Sequence, residues 1–144
     1  MERFVSIDGL KIRYLEEGEG PEVRLLHGTS LGASADVWES SLLPLASRGF
    51  RVIAFDQPGF GLSDNPTDFS AAYRRKIIPM FMDALKINKA HLIGHSSAGR
   101  MALTLAIEKP QRILKVIVLG TGSLLPPLKE GRKQSSPAEG EEGT

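Results

Sequence analysis

One stretch of the chain concentrates the residue types that nucleophilic chemistry needs. Gly94-His95-Ser96-Ser97-Ala98-Gly99 follows the apolar His91-Leu92-Ile93 and precedes a stripe of helical spacing. A serine two residues from a small residue on either side, between a strand and a helix, is the pattern of a nucleophile elbow. The turn must be so sharp that the serine backbone is strained, by about 1–3 kcal/mol. Gly94 and Ala98 are small enough to let strand and helix approach. Such a turn lifts the Ser96 hydroxyl above the sheet at a helix amino end, where the Ser97 N–H can stabilise an oxyanion as it forms. The bland alternative is an ordinary strand-to-helix turn with a serine cap.

Two other segments end apolar runs in the same way. Leu25-Leu26-His27-Gly28-Thr29-Ser30 closes one, and a histidine there is most often a structural group held by loop hydrogen bonds. Phe55-Asp56-Gln57-Pro58-Gly59-Phe60-Gly61 closes another. Gly59 and Gly61 lack the third glycine of a dinucleotide fingerprint, and no GxxxxGK[ST] occurs. Asp56 reads as a turn aspartate bonded to nearby backbone in preference to a catalytic acid.

The elements that must position these segments follow from periodicity. Residues 3–7 and 10–16 alternate around Asp8-Gly9, which predicts an antiparallel hairpin. Val23–Leu26, Val52–Phe55, Leu92–Ile93 and Val116–Leu119 are short, nearly continuous apolar runs, as expected of parallel strands covered on both faces. Trp38, Leu42 and Leu45 recur at helical spacing, as do Ala98, Ala102 and Leu105 with Met101 beside them. Tyr73, Ile77, Phe81 and Leu85 form a third stripe, which Pro79 is expected to kink or divide. Strand and helix alternate, so the fold class is α/β: a mostly parallel sheet with an antiparallel amino-terminal hairpin and helices on both faces.

The chain has 144 residues, 41% of them hydrophobic, enough for one core and too few for two catalytic domains. Eighteen Lys and Arg against 17 Asp and Glu leave a formal charge of +1. That balance argues against nucleic-acid and anionic-membrane partners and favours a small-molecule substrate. The absence of cysteine excludes a thiol nucleophile and a thiolate metal site, and fits a reducing compartment. MERFVSIDGLKIRY has no signal-peptide core, and no apolar run has the length of a membrane span, so a cytoplasmic location is expected. The Arg74-Arg75-Lys76 run reads as a solvated helix face.

The phrases HGTSLGAS, AFDQPGFGLSD and LIGHSSAG, in that order and each after a buried strand, resemble the amino-terminal half of the α/β-hydrolase superfamily. Within it, LGAS, DQPGFGLSDNP and VIVLGTGSLLPP with Leu128 are most similar to the meta-cleavage-product hydrolases, which cleave carbon–carbon bonds in dienone acids from aromatic-ring degradation. The resemblance covers residues 1 to about 128. It implies Ser96 as nucleophile, Thr29 and Ser97 as the backbone N–H donors of the oxyanion hole, and His27 and Gly28 as residues that shape the loop. It implies no metal or organic cofactor. Ser97 and Ala98 stand where these hydrolases often have Met and Gly, which bears on substrate preference more than on mechanism. A carboxylesterase-like activity is the alternative, and aspartate-nucleophile relatives are disfavoured by the serine.

A serine nucleophile needs a base, and in this fold the chain order is serine, acid, histidine. His27, His91 and His95 all precede Ser96. His95 adjoins Ser96 with its side chain directed oppositely, and His91 is about 16 Å back along the strand. Glu108 is the only acid between Ser96 and the charged end of the chain. The expectation is therefore an amino-terminal portion of a longer hydrolase: residues 1–128 as part of the core, and 129–144 as a disordered tail or the start of a lid. A non-catalytic binding module is the reading from another class. With no strand beyond it, Val116–Leu119 would be an open edge, so marginal stability or self-association through that edge is expected.

Overall fold

The computed structural model describes residues 1–124. The expected tail, 129–144, and the last four residues of the expected core lie outside the described residues.

The hairpin forms as the sequence predicts. Strands β1 (Glu2–Ile7) and β2 (Leu10–Glu17) pair antiparallel, with Ile7 opposite Leu10. Asp8 and Gly9 take φ of 51° and 78°, the paired positive values that match a two-residue turn to the strand twist. Strands β3 (Glu22–Leu26), β4 (Arg51–Phe55), β5 (Ala90–His95) and β6 (Ile113–Leu119) complete one sheet of order β1-β2-β4-β3-β5-β6. Strand β2 meets β4 antiparallel, and β4, β3, β5 and β6 run parallel.

Helix α1 (Glu39–Ala46) follows a 3-10 turn, Ala35–Trp38, and covers one face with Trp38 and Leu42 over Leu15, Val23, Leu25, Val52 and Ala54. Helices α2 (Ala71–Ala84) and α3 (Ser97–Glu108) cover the other, over Ile53, Phe55 and Leu92. Side chains alternate along β4, yet both sets are buried, which is why the strand reads as a continuous apolar run. Ser70 caps α2, its Oγ accepting from the Tyr73 N–H at 3.1 Å. Pro79 does not divide α2. The buried Ile77 and Ile78 before it and Phe81 and Met82 after it hold both halves on one core.

Arg24 sits in the middle of this apolar layer, fully buried on the central strand. Residues two apart on a strand share a face, and Glu22 accepts from the Arg24 Nε at 2.7 Å. The guanidinium also lies 4.2 Å from the ring centre of Phe81 and 5.3 Å from that of Phe55.

Candidate active site

The chain passes from β3 through α1 to β4 on one side, then through α2 to β5 on the other. The ends of β3 and β5 therefore lie side by side where the connections diverge, the position at which open α/β sheets carry their crevices. The register pairs Leu26 with Gly94, and so the loops His27-Gly28-Thr29 and His95-Ser96-Ser97 emerge together. They come close enough that a Cβ added to Gly28 would lie 3.1 Å from the Ser96 Cβ.

Ser96 occupies the junction of β5 and α3 with φ 58° and ψ −128°. A left-handed helical residue has ψ near +47°, so Ser96 lies outside even that minor well. Three hydrogen bonds hold it there. Its N–H donates to the Leu119 carbonyl at 2.8 Å, and its own carbonyl accepts from the Thr121 hydroxyl at 2.6 Å and from the Gly99 N–H at 3.0 Å. A backbone conformation of this kind persists only where its surroundings over-determine it.

The small residues have separate tasks. A Cβ on Gly94 would meet the Ala98 carbonyl oxygen at 2.5 Å and the Gly99 Cα at 2.7 Å, so strand and helix touch at this point. Ala98 is buried beneath the turn. A Cβ on Gly99 would collide with the Thr121 hydroxyl and the Val118 side chain, so at Gly99 the neighbours are side chains where at Gly94 they are backbone.

Ser97 begins α3, and Thr29 faces it across the crevice: their hydroxyl oxygens are 3.1 Å apart. A cavity of about 380 Å³ opens beside Thr29, lined also by Leu31, Gly32, Ser34 and Phe60. That volume lies within the range of small-molecule sites.

His27 is fully buried and engaged at both ring nitrogens. Nδ1 lies 2.6 Å from the Gly28 carbonyl, and Nε2 accepts from the Gln57 N–H at 3.0 Å. A carbonyl only accepts and an amide N–H only donates, so the ring is neutral with its proton on Nδ1. Burial pushes its pKa below the ordinary value. The Gln57 side chain completes the clasp by donating to the His27 carbonyl at 2.6 Å.

The other titratable candidates have different surroundings. His91 lies against Phe50 on the sheet face, its Nδ1 buried without a hydrogen-bond partner. His95 meets Trp38 edge-on, but its side chain is not directed away from the site as expected, since its Nδ1 lies 3.7 Å from where a Cβ on Gly28 would be, the same position that is 3.1 Å from the Ser96 Cβ. Asp56 is a buried turn aspartate, accepting from the Ala35 N–H at 2.7 Å and the Leu62 N–H at 2.8 Å. Glu108 pairs with Arg75 at 2.6 Å, about 16 Å along α3 from Ser97. Among the described residues no group of three or more His, Asp or Glu could hold a metal ion, and no helix is long and apolar enough to cross a membrane.

Every residue named from the sequence for this site is at the β3 or β5 end. Thr121, Gln57 and Gly99 lie in the quoted segments but were given no role there. Gly99 carried a signal, as a third small residue after the serine. Thr121 and Gln57 carried none, because a hydroxyl or amide reveals its role only when the chain returns to the site.

Comparison with known proteins gives the family of the fold. Residues 23–142 match the family described as alpha/beta hydrolase fold. The 2-hydroxy-6-oxo-6-phenylhexa-2,4-dienoate hydrolase of Comamonas testosteroni is 40% identical over 118 residues, which are 78% of this chain and 41% of that protein. Among solved structures, a variant of the meta-cleavage product hydrolase CumD from Pseudomonas fluorescens matches with a TM-score of 0.79 at 32% identity, covering 90% of this chain and 48% of that one. A bacterial membrane phospholipase A matches at 0.82 and 31% identity, covering 90% and 42%. The chain spans less than half the length of each.

Proposed function

The chain belongs to the alpha/beta hydrolase fold family, and from that premise we propose that it carries the nucleophile and oxyanion half of a serine-type hydrolase acting on a small carbonyl compound. In this reading Ser96 Oγ attacks the carbonyl carbon, or assists a water molecule in attacking it. The N–H groups of Thr29 and Ser97 take up the negative charge that develops on the carbonyl oxygen; donors fixed in advance need no reorganisation as that charge appears. Gly28, Gly94 and Ala98 let the two loops approach, and His27 holds the first of them in shape.

The observation that carries this reading is the Ser96 backbone, kept at φ 58° and ψ −128° between a strand and a helix. A capping serine has no need of that conformation, whereas a nucleophile lifted clear of the sheet does. The base that accepts the hydroxyl proton, and the carboxylate that orients it, are assigned to protein outside these 144 residues, since no histidine follows Ser96. The substrate we infer is a dienone acid from aromatic-ring degradation, cleaved at a carbon–carbon bond after its dienol ketonises. Its support is the 40% identity to a hydrolase of that kind.

Two other readings each have an observation behind them. The likeness to a phospholipase A favours ester cleavage. The engagement of both His27 nitrogens favours a non-catalytic module.

A fluorophosphonate probe with mass-spectrometric mapping tests the assignment. The expected adduct is on Ser96, forms faster when imidazole is added as a substitute base, and is absent from Ser96→Ala. A folded chain that acquires no adduct at Ser96 with imidazole present sinks the nucleophile assignment. In a version extended to the length of the relatives, acid release from a dienone supports carbon–carbon cleavage, and turnover of aryl esters alone supports the esterase.

A further inference from the structure

Arg13 is a buried cation on β2, a strand that carries none of the residues assigned to the reaction. Its polar groups reach three different segments. The N–H donates to the Ser63 Oγ at 2.9 Å, and that hydroxyl donates in turn to the Asp56 carbonyl at 2.7 Å. The Arg13 carbonyl accepts from the Asp56 N–H at 2.9 Å. The guanidinium donates through Nη1 and Nη2 to the two carboxylate oxygens of Asp36, at 3.1 Å and 2.8 Å. Nη1 also lies 3.4 Å from each carboxylate oxygen of Asp56, and Nε donates to Glu2 at 3.0 Å.

These contacts end on both walls of the cavity beside Thr29. One wall is the loop after β3, residues 30–34, and the other is Gly59-Phe60-Gly61 after β4. The Asp56 carboxylate bridges them. Oδ1 accepts from the Ala35 N–H at 2.7 Å, directly after the first wall, and Oδ2 accepts from the Leu62 N–H at 2.8 Å, directly after the second. Gly61 sits so close to this carboxylate that a Cβ there would collide with it. Asp36 adds a second hold on the first wall, because its Oδ2 also accepts from the Ser34 hydroxyl at 3.1 Å. All of these segments lie on the β2, β4 and β3 side of the sheet, away from β6.

We propose that Arg13 is a positioning residue: its guanidinium fixes the separation of the two cavity walls, and so the size of the group admitted beside Ser96. Arg13 does not line the cavity itself and acts through Asp36 and Asp56. A planar guanidinium bound to both oxygens of a carboxylate sets orientation as well as charge, which a point charge does not. It also gives the fully buried Asp56 carboxylate a cation, without which that charge would be uncompensated. Walls held to within about 0.5 Å can select by size, and one methylene group in a fitted pocket is worth about 10–200-fold. Walls that yield lose that selection. The consequence for the reaction rests on Ser96 as the nucleophile, whereas the separation of the walls does not.

Two measurements on the 144-residue chain test this. The chain has no cysteine, so nitroxides can be attached at Leu31→Cys on one wall and Leu62→Cys beside the other, both exposed positions. Pulsed EPR should give one narrow distance, which broadens in Arg13→Met and in Asp36→Ala. The Asp36 side chain is 58% exposed, so its removal leaves the core intact even if Arg13→Met fails to fold. The second measurement is labelling of Ser96, with imidazole present, by fluorophosphonates carrying either an ethyl or a rigid adamantyl group. The preference for ethyl should fall by about tenfold in both variants, while the rate with the ethyl probe changes by less than about twofold. An Arg13 that only stabilises the fold would slow both probes alike and keep their ratio. An unchanged distance distribution, or a broadened one with the ratio preserved, overturns the proposal. A wild type that takes up neither probe sinks the Ser96 assignment instead, and the nitroxide distances then decide the role of Arg13 by themselves.

Discussion

The Thr29 and Ser97 hydroxyls form a hydrogen bond of 3.1 Å between residues 68 positions apart in the chain. One side chain hangs from the loop after β3 and the other from the first turn of α3, so the contact fixes the distance between the two N–H groups assigned to the oxyanion hole. A neutral hydrogen bond contributes about 0.5–1.5 kcal/mol net. A double-mutant cycle of Thr29→Val and Ser97→Ala in urea denaturation should therefore give a coupling of about 1 kcal/mol, with labelling of Ser96 slowed in each single variant. A coupling indistinguishable from zero would show that the two loops are positioned independently.

His27 makes stability depend on pH in a defined direction. Its folded-state pKa lies below the ordinary 6.5 because burial disfavours the charged ring. Protonation would also break the bond from the Gln57 N–H to Nε2. Below pH 6.5 the unfolded chain binds a proton that the folded chain does not, so stability is complete above that pH and declines as pH falls toward the folded pKa. The slope for one such group is at most about 1.4 kcal/mol per pH unit. Urea denaturation at pH 7.5 and pH 5.5 should show wild type losing more than His27→Asn does. Equal losses in both proteins would remove His27 as the cause.

How much of this was legible in the sequence depends on the reach of each interaction. The Asp8-Gly9 hairpin, the doubly buried strands β3 and β4 and the small residues around Ser96 are local patterns, and each is found where it was expected; Val116–Leu119, expected to be covered on both faces, forms its strand but alternates between half-buried and exposed residues. Pro79 was read locally too, and there the core on both sides of it outweighed one lost helix bond. The clasp of Gln57 on His27 and the grip of Thr121 on the Ser96 carbonyl span about 30 and 25 residues. No spacing rule marks such residues, because their meaning comes from the sheet order that returns β4 and β6 beside β3 and β5. A base for Ser96 was not found in the sequence, and the structure engages His27 elsewhere.

Arg24 is the other feature that periodicity hid, and its stability effects separate a buried pair from a buried charge. The Glu22 Oε2 and Arg24 Nη1 atoms are buried with no hydrogen-bond partner, so the pair is incompletely satisfied. Removing one partner from a buried pair costs about 3–5 kcal/mol, whereas replacing both by apolar residues is often neutral or stabilising. Glu22→Ala should therefore lower the urea midpoint sharply, and Glu22→Leu combined with Arg24→Met should restore most of it. If the double variant is as unstable as Glu22→Ala, the stacking of Arg24 on Phe81 and Phe55 contributes more than the ion pair.

The strain at Ser96 can be measured by comparing two variants that both lack the hydroxyl. Glycine in ordinary backbone is worse than alanine by about 0.5–1 kcal/mol, because the unfolded chain gains freedom. At φ 58° and ψ −128° the order should reverse, since glycine meets no Cβ penalty there while alanine keeps the full strain of about 1–3 kcal/mol. Ser96→Gly is expected to be more stable than Ser96→Ala by about 1 kcal/mol, read from urea midpoints with unchanged denaturant slopes. The hydrogen bonds from Thr121 and to Leu119 involve backbone atoms that both variants retain, so they cancel in the comparison. An alanine variant equal to or more stable than glycine would mean that the turn holds Ser96 without strain, and would remove the backbone argument for a nucleophile at this position.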